Sequence, residues 1–419
     1  MSQTSEDAQV FSDVLVIGGG VSGLVAALAA SQAGFQTVLA DAGDIDGQKP
    51  LDSRAFAMAP ASMQLFDALG LSAKLTPKAE PVLRMAIADA PKARPQKSSL
   101  RLDFRDCDAT GNDEILAYIV ENTDLYRALV SAAHVAANLK LVSGRRLKTI
   151  VNADGRATAQ FDGGAAISAQ LIIGADGRNS SVRNLCAVDG TGWDYGQTAI
   201  TATVAHEQPH QNVAHDLFLP AGPLGVLPLN GRRSSIVWCE TPDAAAALMR
   251  LEPGAFCAEL QTRLAGRLGA LTLESRRSAF PLSVFVANSM IAPRVALVAD
   301  AAHSVHPLAG QGLNIGLRDI AALADTLIDA RAIGLDIGAE TTLERYQRWR
   351  RFDNLSYAAA TDALNRVFAL QAPPLRAMRS AGLAAVNAIA PLRKMFASEA
   401  SGVSENAPRL LRGEALDAV

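Results

Sequence analysis

Four consecutive apolar residues, Val14-Leu15-Val16-Ile17, begin the first strong pattern in this chain. A short unbroken run of β-branched and aliphatic residues reads as a strand buried on both faces. A glycine cluster follows, then an Ala-rich stretch to about Ala33 that predicts a helix, with Gly34 placed to end it. Gln36–Ala40 is a second apolar strand and stops at Asp41. Together these segments form a strand–turn–helix–strand unit of about 30 residues.

The same reading continues along the chain. Ser62–Leu69 predicts a helix ended by Gly70, and the region from Pro77 to Ala117 is strand-like, with an exposed polar loop at Pro91–Ser99. Leu125–Ala137 has the period of an amphipathic helix. Leu139–Ile173 holds three or four strands, with turns at Asp154-Gly155 and Asp162-Gly163-Gly164. Residues 195–285 are mostly strands, interrupted by a helix near Pro242–Gly269. Val295–Val298 is another buried strand, helices dominate from Leu313 to about Phe396, and the tail after Ser398 is expected to be loosely ordered. The pattern is α/β, without an internal repeat.

Composition narrows the class. The 419 residues carry 39 Lys and Arg against 42 Asp and Glu, a formal charge of -3, which argues against a nucleic-acid partner. Charged residues make up 19% and hydrophobic residues 49%, and mean hydropathy is +0.14. Most of the chain is therefore not disordered, and the balance suits a large internal pocket or some membrane contact. Four scattered cysteines without a C-x-x-C pair suggest reduced thiols in an intracellular, cytoplasmic protein. Residues 1–13 contain no Lys or Arg, so the apolar run Val14–Ala30 is not expected to be a signal peptide, and its glycines and Ser22 argue against a membrane span.

Three motifs carry chemistry. Gly18-Gly19-Gly20-Val21-Ser22-Gly23 is a G-x-G-x-x-G between a strand and a helix. Gly18 allows the tight turn, Gly20 lets backbone N–H groups approach a pyrophosphate, and Gly23 lets the helix pack close to the strand. Asp41, 18 residues after Gly23, is placed to accept hydrogen bonds from ribose hydroxyls. The motif indicates a dinucleotide and by itself does not separate FAD from NAD. Leu171–Arg183 runs from a buried strand through Asp176-Gly177 into a short helix; it reads equally as a ligand-binding strand end or as an ordinary turn with Arg183 paired at the surface. In the third motif, Val295–His303 and its continuation to Asp319, a strand ends in Asp300 and a Pro307/Gly310/Gly312 loop opens a helix. The N-terminus of that helix favours a ring that gains negative charge on reduction.

These motifs, in this order, resemble the class A flavoprotein monooxygenases. The run His306-Pro307-Leu308-Ala309-Gly310-Gln311-Gly312-Leu313-Asn314-Ile315-Gly316-Leu317-Arg318-Asp319 resembles the signature of the ubiquinone-biosynthesis ring hydroxylases. Asp52-Ser53-Arg54 with Ala57, Glu121-Asn122 with Arg127, Leu227-Pro228-Leu229, Ile236-Val237-Trp238 and Phe280-Pro281-Leu282 are similar to pieces of the same branch. The resemblance implies a discontinuous Rossmann-like FAD-binding domain at 12–76, 118–186 and 286–350. It further implies an inserted β-sheet substrate domain at 77–117 and 187–285, C-terminal helices at 351–397 and a tail at 398–419. It implies that Gly18, Gly20, Gly23 and Asp41 hold the ADP half of FAD and that Arg54, Asn122 and Arg127 line the flavin path. By the same resemblance Asp176 serves FAD and NAD(P)H, Asp300 contacts the ribityl chain, and Gly310, Gln311, Gly312, Leu313 and Asn314 lie at the isoalloxazine. Ala299 departs from the wider superfamily, which usually has Gly there. The implied reaction uses NAD(P)H and O2 to hydroxylate the ring of a polyprenylated phenol.

Simpler readings compete at several positions. Asp300, His303 and His306 have a spacing that would suit a metal only on a regular helix, which Pro307 disfavours, so no metal is expected. His206 and His210 flank Pro209 and read as loop histidines. Arg345, Arg348, Trp349 and Arg351 read as a cap helix on the FAD domain. From Arg345 to Lys394 nine Lys/Arg meet two Asp/Glu. That basic stretch reads first as a packed helical subdomain with solvated arginines, and otherwise as a surface resting on an anionic membrane beside other ubiquinone-biosynthesis proteins. Three further functions stay open alongside the hydroxylase: hydroxylation of a small soluble phenol or antibiotic scaffold, a non-catalytic flavin-binding subunit of a quinone-biosynthesis complex, and an NAD-dependent dehydrogenase with no flavin.

Overall fold

The computed structural model describes residues 10–47, 53–89, 101–104, 115–307, 310, 312–369 and 406–416. The Pro91–Ser99 loop, Asp52, Cys107, Gln311 and the expected helices between 370 and 396 lie outside these residues.

The first sheet has a parallel centre. Its order is Ile291–Ala292, Val295–Leu297, Ala166–Gly174, Val10–Ile17, Thr37–Ala40 and Leu139–Val142, with Arg156–Phe161 and Leu147–Ala153 added antiparallel beside Ala166–Gly174. Val14, Leu15 and Val16 are fully buried, as an apolar run covered on both faces requires. Helix Val21–Gln32 packs against Gly312–Ala332 on one side and Asn122–Val135 on the other. Asp154 and Gly155 both have positive φ, the geometry of a tight hairpin turn.

The second sheet runs His303–Ser304, Ser278–Ala287, Gly190–His206, Arg233–Glu240, Gly222–Leu229, Val213–Leu219, Arg84–Asp89 and Arg101–Phe104. Alternation gives it two faces. Ile200, Ala202, Leu217, Leu224, Ile236 and Trp238 pack under two helices. The opposite face turns toward a small sheet of Ala55–Met58, Ala117–Glu121 and Glu80–Val82, with Ala57, Ala214 and Leu229 in one cluster.

Several expectations are corrected. The single helix expected near Pro242–Gly269 is two, Pro242–Arg250 and Pro253–Leu264, because Pro253 starts a new helix at its first position. The second helix of the chain begins at Pro60 rather than Ser62, and the next long one at Asn122 rather than Leu125. Residues 406–416 are packed instead of loose: Leu410, Leu411 and Leu416 join the main core, and the Arg409 N–H donates to the Asp325 carboxylate at 3.0 Å. Burial of Leu410 and Leu411 there stabilises the packing of residues 406–416.

Candidate cofactor and substrate site

Strand register brings the three motifs together. Ile17 pairs with Gly174 and with Ala40, and Gly174 pairs with Leu297, so three parallel strands and their neighbour end at one edge. Gly18, Ala175, Val298 and Asp41 follow side by side, at the carboxyl ends where ligands of open α/β sheets bind. Gly18 has φ +114, and a side chain there would lie 2.5 Å from the Ala175 carbonyl oxygen. A methyl on Gly23 would sit 1.7 Å from the Gly18 carbonyl oxygen. Gly20 differs: a Cβ there would meet nothing within 4 Å, and no side chain caps the helix it begins. Helix-end donors therefore face open space, the arrangement that takes a phosphate. Asp41 accepts from the Gly19 N–H at 2.5 Å and the Gly43 N–H at 2.7 Å, which fixes its carboxylate beside the turn.

The flavin-path residues divide. The N–H of buried Asn122 donates to the Arg54 carbonyl at 2.9 Å, tying the start of helix Asn122–Val135 to the segment before Ala55–Met58. The Arg54 guanidinium lies 5.2 Å from the Phe280 ring centroid on the second sheet. Arg127 is exposed and makes no hydrogen bond or ion pair among the described residues. Tyr126 beside it donates to the Ile45 carbonyl at 3.0 Å; burial, then Asp41, Asp46 and Asp44, push its hydroxyl up to about 12.

Asp176 is engaged by the protein. Its carboxylate accepts from Ser180 Oγ at 2.5 Å and from the N–H groups of Ser181 and Val182 at 2.6 and 3.1 Å, capping helix Ser181–Leu185. Gly177 takes the left-handed conformation of an ordinary turn. Arg183, however, is buried rather than paired at the surface. It donates to the carbonyls of Ala301 and Arg178, both at 2.9 Å, and stacks 4.3 Å from the Phe285 centroid. This side chain joins the second motif to the third.

In the third motif Ala299 has φ +52, so it holds the left-handed conformation that glycine takes without strain. Asp300 opens into the cleft yet is crowded by protein; that crowding raises its pKa, and His303, Arg54 and Arg178 oppose the rise. A Cβ on Gly316 would meet the Ala299 Cβ at 2.5 Å and Ser22 Oγ at 3.8 Å, so the first and third motifs touch here. Gly310 has φ +63, and its Cβ would lie 3.0 Å from the Ala57 Cβ, whereas Gly312 has room, with Val305 at 3.9 Å. Leu313 packs partly buried on the core. Asn314 is buried and ties helix Gly312–Ala332 to the Ala57–Ser62 segment: its Oδ1 accepts from the Ala59 N–H and Ser62 Oγ, and its Nδ2 donates to the Ala57 carbonyl at 2.8 Å.

Sequence reasoning gave no role to a buried network behind this loop. Asp319 accepts from His303 Nε2 at 2.5 Å, Arg350 Nε at 3.0 Å, Asn354 Nδ2 at 3.0 Å and the Ala299 N–H at 3.2 Å. Burial alone would raise its pKa; His303, Arg350 and Asn354 reverse that and hold it at about 2. His306 instead donates from Nε2 to Gln197 Oε1 at 3.0 Å, while Gln197 Nε2 donates to the Ala221 carbonyl at 2.7 Å. Burial lowers the His306 pKa to about 4. His303 and His306 thus have separate partners, and no metal-binding cluster occurs among the described residues. His206 and His210 hydrogen-bond to Gln208, Ser234 and Leu229.

The second sheet forms a floor opposite the loop. Ser53 Oγ lies 3.4 Å from Thr201 Oγ1, Arg54 stacks on Phe280, Ala57 and Ala214 belong to one small apolar cluster, and His306 meets Gln197. Between these contacts one row of the floor runs Asp216, Gly225, Val237, Thr201. Asp216 was missed by sequence reasoning. The available signal was a carboxylate alternating with the core residues Leu217 and Leu219. Burial pushes its pKa up to about 7.

The family model described as FAD binding domain matches residues 12–352. The chain is 37% identical over 416 residues to the ubiquinone hydroxylase UbiL of Rhodospirillum rubrum, covering 97% of this chain and 94% of that protein. It is 32% identical over 396 residues to the 3-demethoxyubiquinol 3-hydroxylase of Escherichia coli, covering 94% and 99%. Among solved structures it is similar to the p-nitrophenol 4-monooxygenase PnpA of Pseudomonas putida DLL-E4. That similarity has a TM-score of 0.76 at 20% identity, covers 93% and 98% of the two chains, and bears on the fold.

Proposed function

The chain belongs to the FAD binding domain family, in the branch that holds these ubiquinone hydroxylases, and from that premise we propose that it is an FAD-dependent monooxygenase hydroxylating the aromatic ring of a polyprenylated phenol in ubiquinone biosynthesis. The observation that carries this reading is the convergence of Gly18, Asp176 and Ala299–Asp300 at one strand edge, opposite an open sheet face.

The residues fit FAD. Gly20 leaves space where a Cβ would otherwise fill the phosphate approach, and the uncapped start of helix Val21–Gln32 supplies donors. Gly18, Gly20 and Gly23 would hold the pyrophosphate, Asp41 the adenosine ribose and Asp300 the ribityl chain. Arg54 and Asn122 would line the path to the ring, and the backbone of Gly310, Gly312 and Leu313 would face it. Asp176 and Asn314 would serve by holding these segments in place. The bound cofactor supplies reduction by NAD(P)H and activation of O2; the protein's part is to position the phenol, exclude water and stabilise charge.

The prenyl tail requires an apolar exit. No helix among the described residues is long and apolar enough to cross a membrane. Helix Glu340–Ala369 exposes Phe352 (77%), Leu355, Leu364 and Val367 next to Arg348, Arg351 and Arg366, a face that suits peripheral contact with an anionic bilayer. Flotation with anionic liposomes should carry the protein upward and lose it on Phe352→Glu. The test of the main reading is product analysis after incubation with NAD(P)H, O2 and a panel of prenylated and unprenylated phenols. A hydroxylated prenylphenol is expected; NAD(P)H oxidation without any hydroxylated product overturns the reading.

A further inference from the structure

Nothing so far says which group recognises the phenol. We propose that the Asp216 carboxylate accepts a hydrogen bond from the substrate's ring hydroxyl and so sets which ring edge faces the flavin; this rests on the hydroxylase reading above.

In strand Val213–Leu219, Leu217 and Leu219 point into the helix-covered core, so Asp216 points to the other face with Ala214. Ala214 belongs to the same small apolar cluster as Ala57, together with Val82, Ala117, Ile119 and Leu229, and Ala57 is the residue that Gly310 approaches. Asp216 is therefore one pleat repeat, about 7 Å along the strand, from the residue by which this strand joins the cluster that the third motif approaches. Its partner on the next strand is Gly225, and directly paired residues share a face. A Cβ on Gly225 would find nothing nearer than Val237, at 3.8 Å. The carboxylate thus borders a space that its neighbour leaves empty, bounded beyond by Val237 and Thr201.

The chemistry is specific. Asp216 makes no hydrogen bond or ion pair among the described residues, although Ser53, Thr201 and Gln197 on this face have protein partners. An unpaired carboxylate in a crowded site is costly, and a donor from a ligand relieves that cost. A phenol offers one O–H donor on a flat apolar ring; the unpaired polar groups on this face are the Asp216 carboxylate and, two residues from Val237, the buried Ser235 hydroxyl, and of the two the carboxylate is the stronger acceptor. A hydrogen bond to the carboxylate also enriches the ring in electrons, as oxygen transfer requires. Burial pushes the Asp216 pKa up, consistent with a site in which water does not solvate the carboxylate.

The test uses the purified holoenzyme without NAD(P)H. Binding of 2-farnesylphenol and of its O-methyl ether is followed by perturbation of the flavin absorbance. At a pH well above the Asp216 pKa of about 7, where the carboxylate is ionised, the wild type should bind the phenol on the order of 10-fold or more tightly than the ether, the ratio of a hydrogen bond to a charged group. Asp216→Ala should lose that preference while its ether affinity and FAD content stay unchanged. Asp216→Asn, which keeps an acceptor, should retain part of the preference. Equal loss of phenol and ether binding, or an unchanged preference in Asp216→Ala, overturns the proposal while wild-type turnover still supports the hydroxylase reading. A wild type that neither binds nor hydroxylates the prenylphenol sinks that reading, and this one with it.

Discussion

Replacing Asp319 by Ala tests whether the buried network supports the loop before the third-motif helix. The carboxylate is fully buried and receives four donors, from His303, Arg350, Asn354 and the Ala299 backbone. Its removal leaves the Arg350 guanidinium buried, with Asp353 at 2.6 Å and Asn354 at 3.0 Å as remaining partners. Breaking a buried pair from one side costs about 3–5 kcal/mol, and Asp353 should keep the loss near ~3 kcal/mol. The pH sign follows from the shift: the folded pKa, about 2, lies below the ordinary carboxylate value of 3.8. The contribution is therefore complete above the ordinary value and lost as pH falls through about 2. Urea unfolding at pH 7, followed by tryptophan fluorescence, measures the loss. Flavin retention on gel filtration should fall as well, because the Ala299 N–H loses the acceptor that holds its turn. A variant within ~0.5 kcal/mol of wild type at pH 7, with full flavin content, refutes the reasoning.

Three further outcomes are expected. Gly23→Ala should yield little folded protein, since its methyl would fall 1.7 Å from a backbone oxygen, whereas Gly20→Val should fold normally and lose FAD on dialysis. Ala299→Gly should hold FAD normally and gain up to ~1 kcal/mol in thermal unfolding, because φ +52 strains alanine; a clear loss would show that methyl packing outweighs strain. His306 is buried with its pKa lowered from 6.5 to about 4, so wild-type stability should fall as pH drops between those values, where only the unfolded chain takes the proton. His306→Gln should flatten that slope in a pH series of chemical melts; an unchanged slope would assign it to other groups.

The glycine turn was legible because much of its geometry is local: Gly18 has φ +114 and a methyl on Gly23 would meet the Gly18 carbonyl oxygen within the same strand–helix unit, although Ala175, on another strand, also closes in on Gly18. The apolar runs at Val14–Ile17 and Val295–Val298 likewise announced buried strands. Single-residue roles were less legible. Asp176 and Asn314 were assigned to cofactor by motif; their side chains also bind protein, Asp176 within its own turn at Ser180–Val182 and Asn314 on the Ala57–Ser62 segment, and only the second depends on partners distant in sequence. Arg183 read as a surface residue in one of two readings because nothing local shows that Phe285 and Ala301 lie beside it. The packing of residues 406–416 escaped the sequence for the same reason, since Leu410 and Leu411 find their burial against a core formed hundreds of residues earlier.

The amino-acid order alone determined the strand–turn–helix unit, the dinucleotide signature and the family, because short-range periodicity and backbone-specific glycines are written in neighbouring residues. Only tertiary structure decided that Asp319 anchors the Ala299 turn and that Asp216 lies on the sheet face opposite the helix-covered core. Those facts depend on strand register and on which face of a sheet is covered, and both are set by packing between segments far apart in the chain.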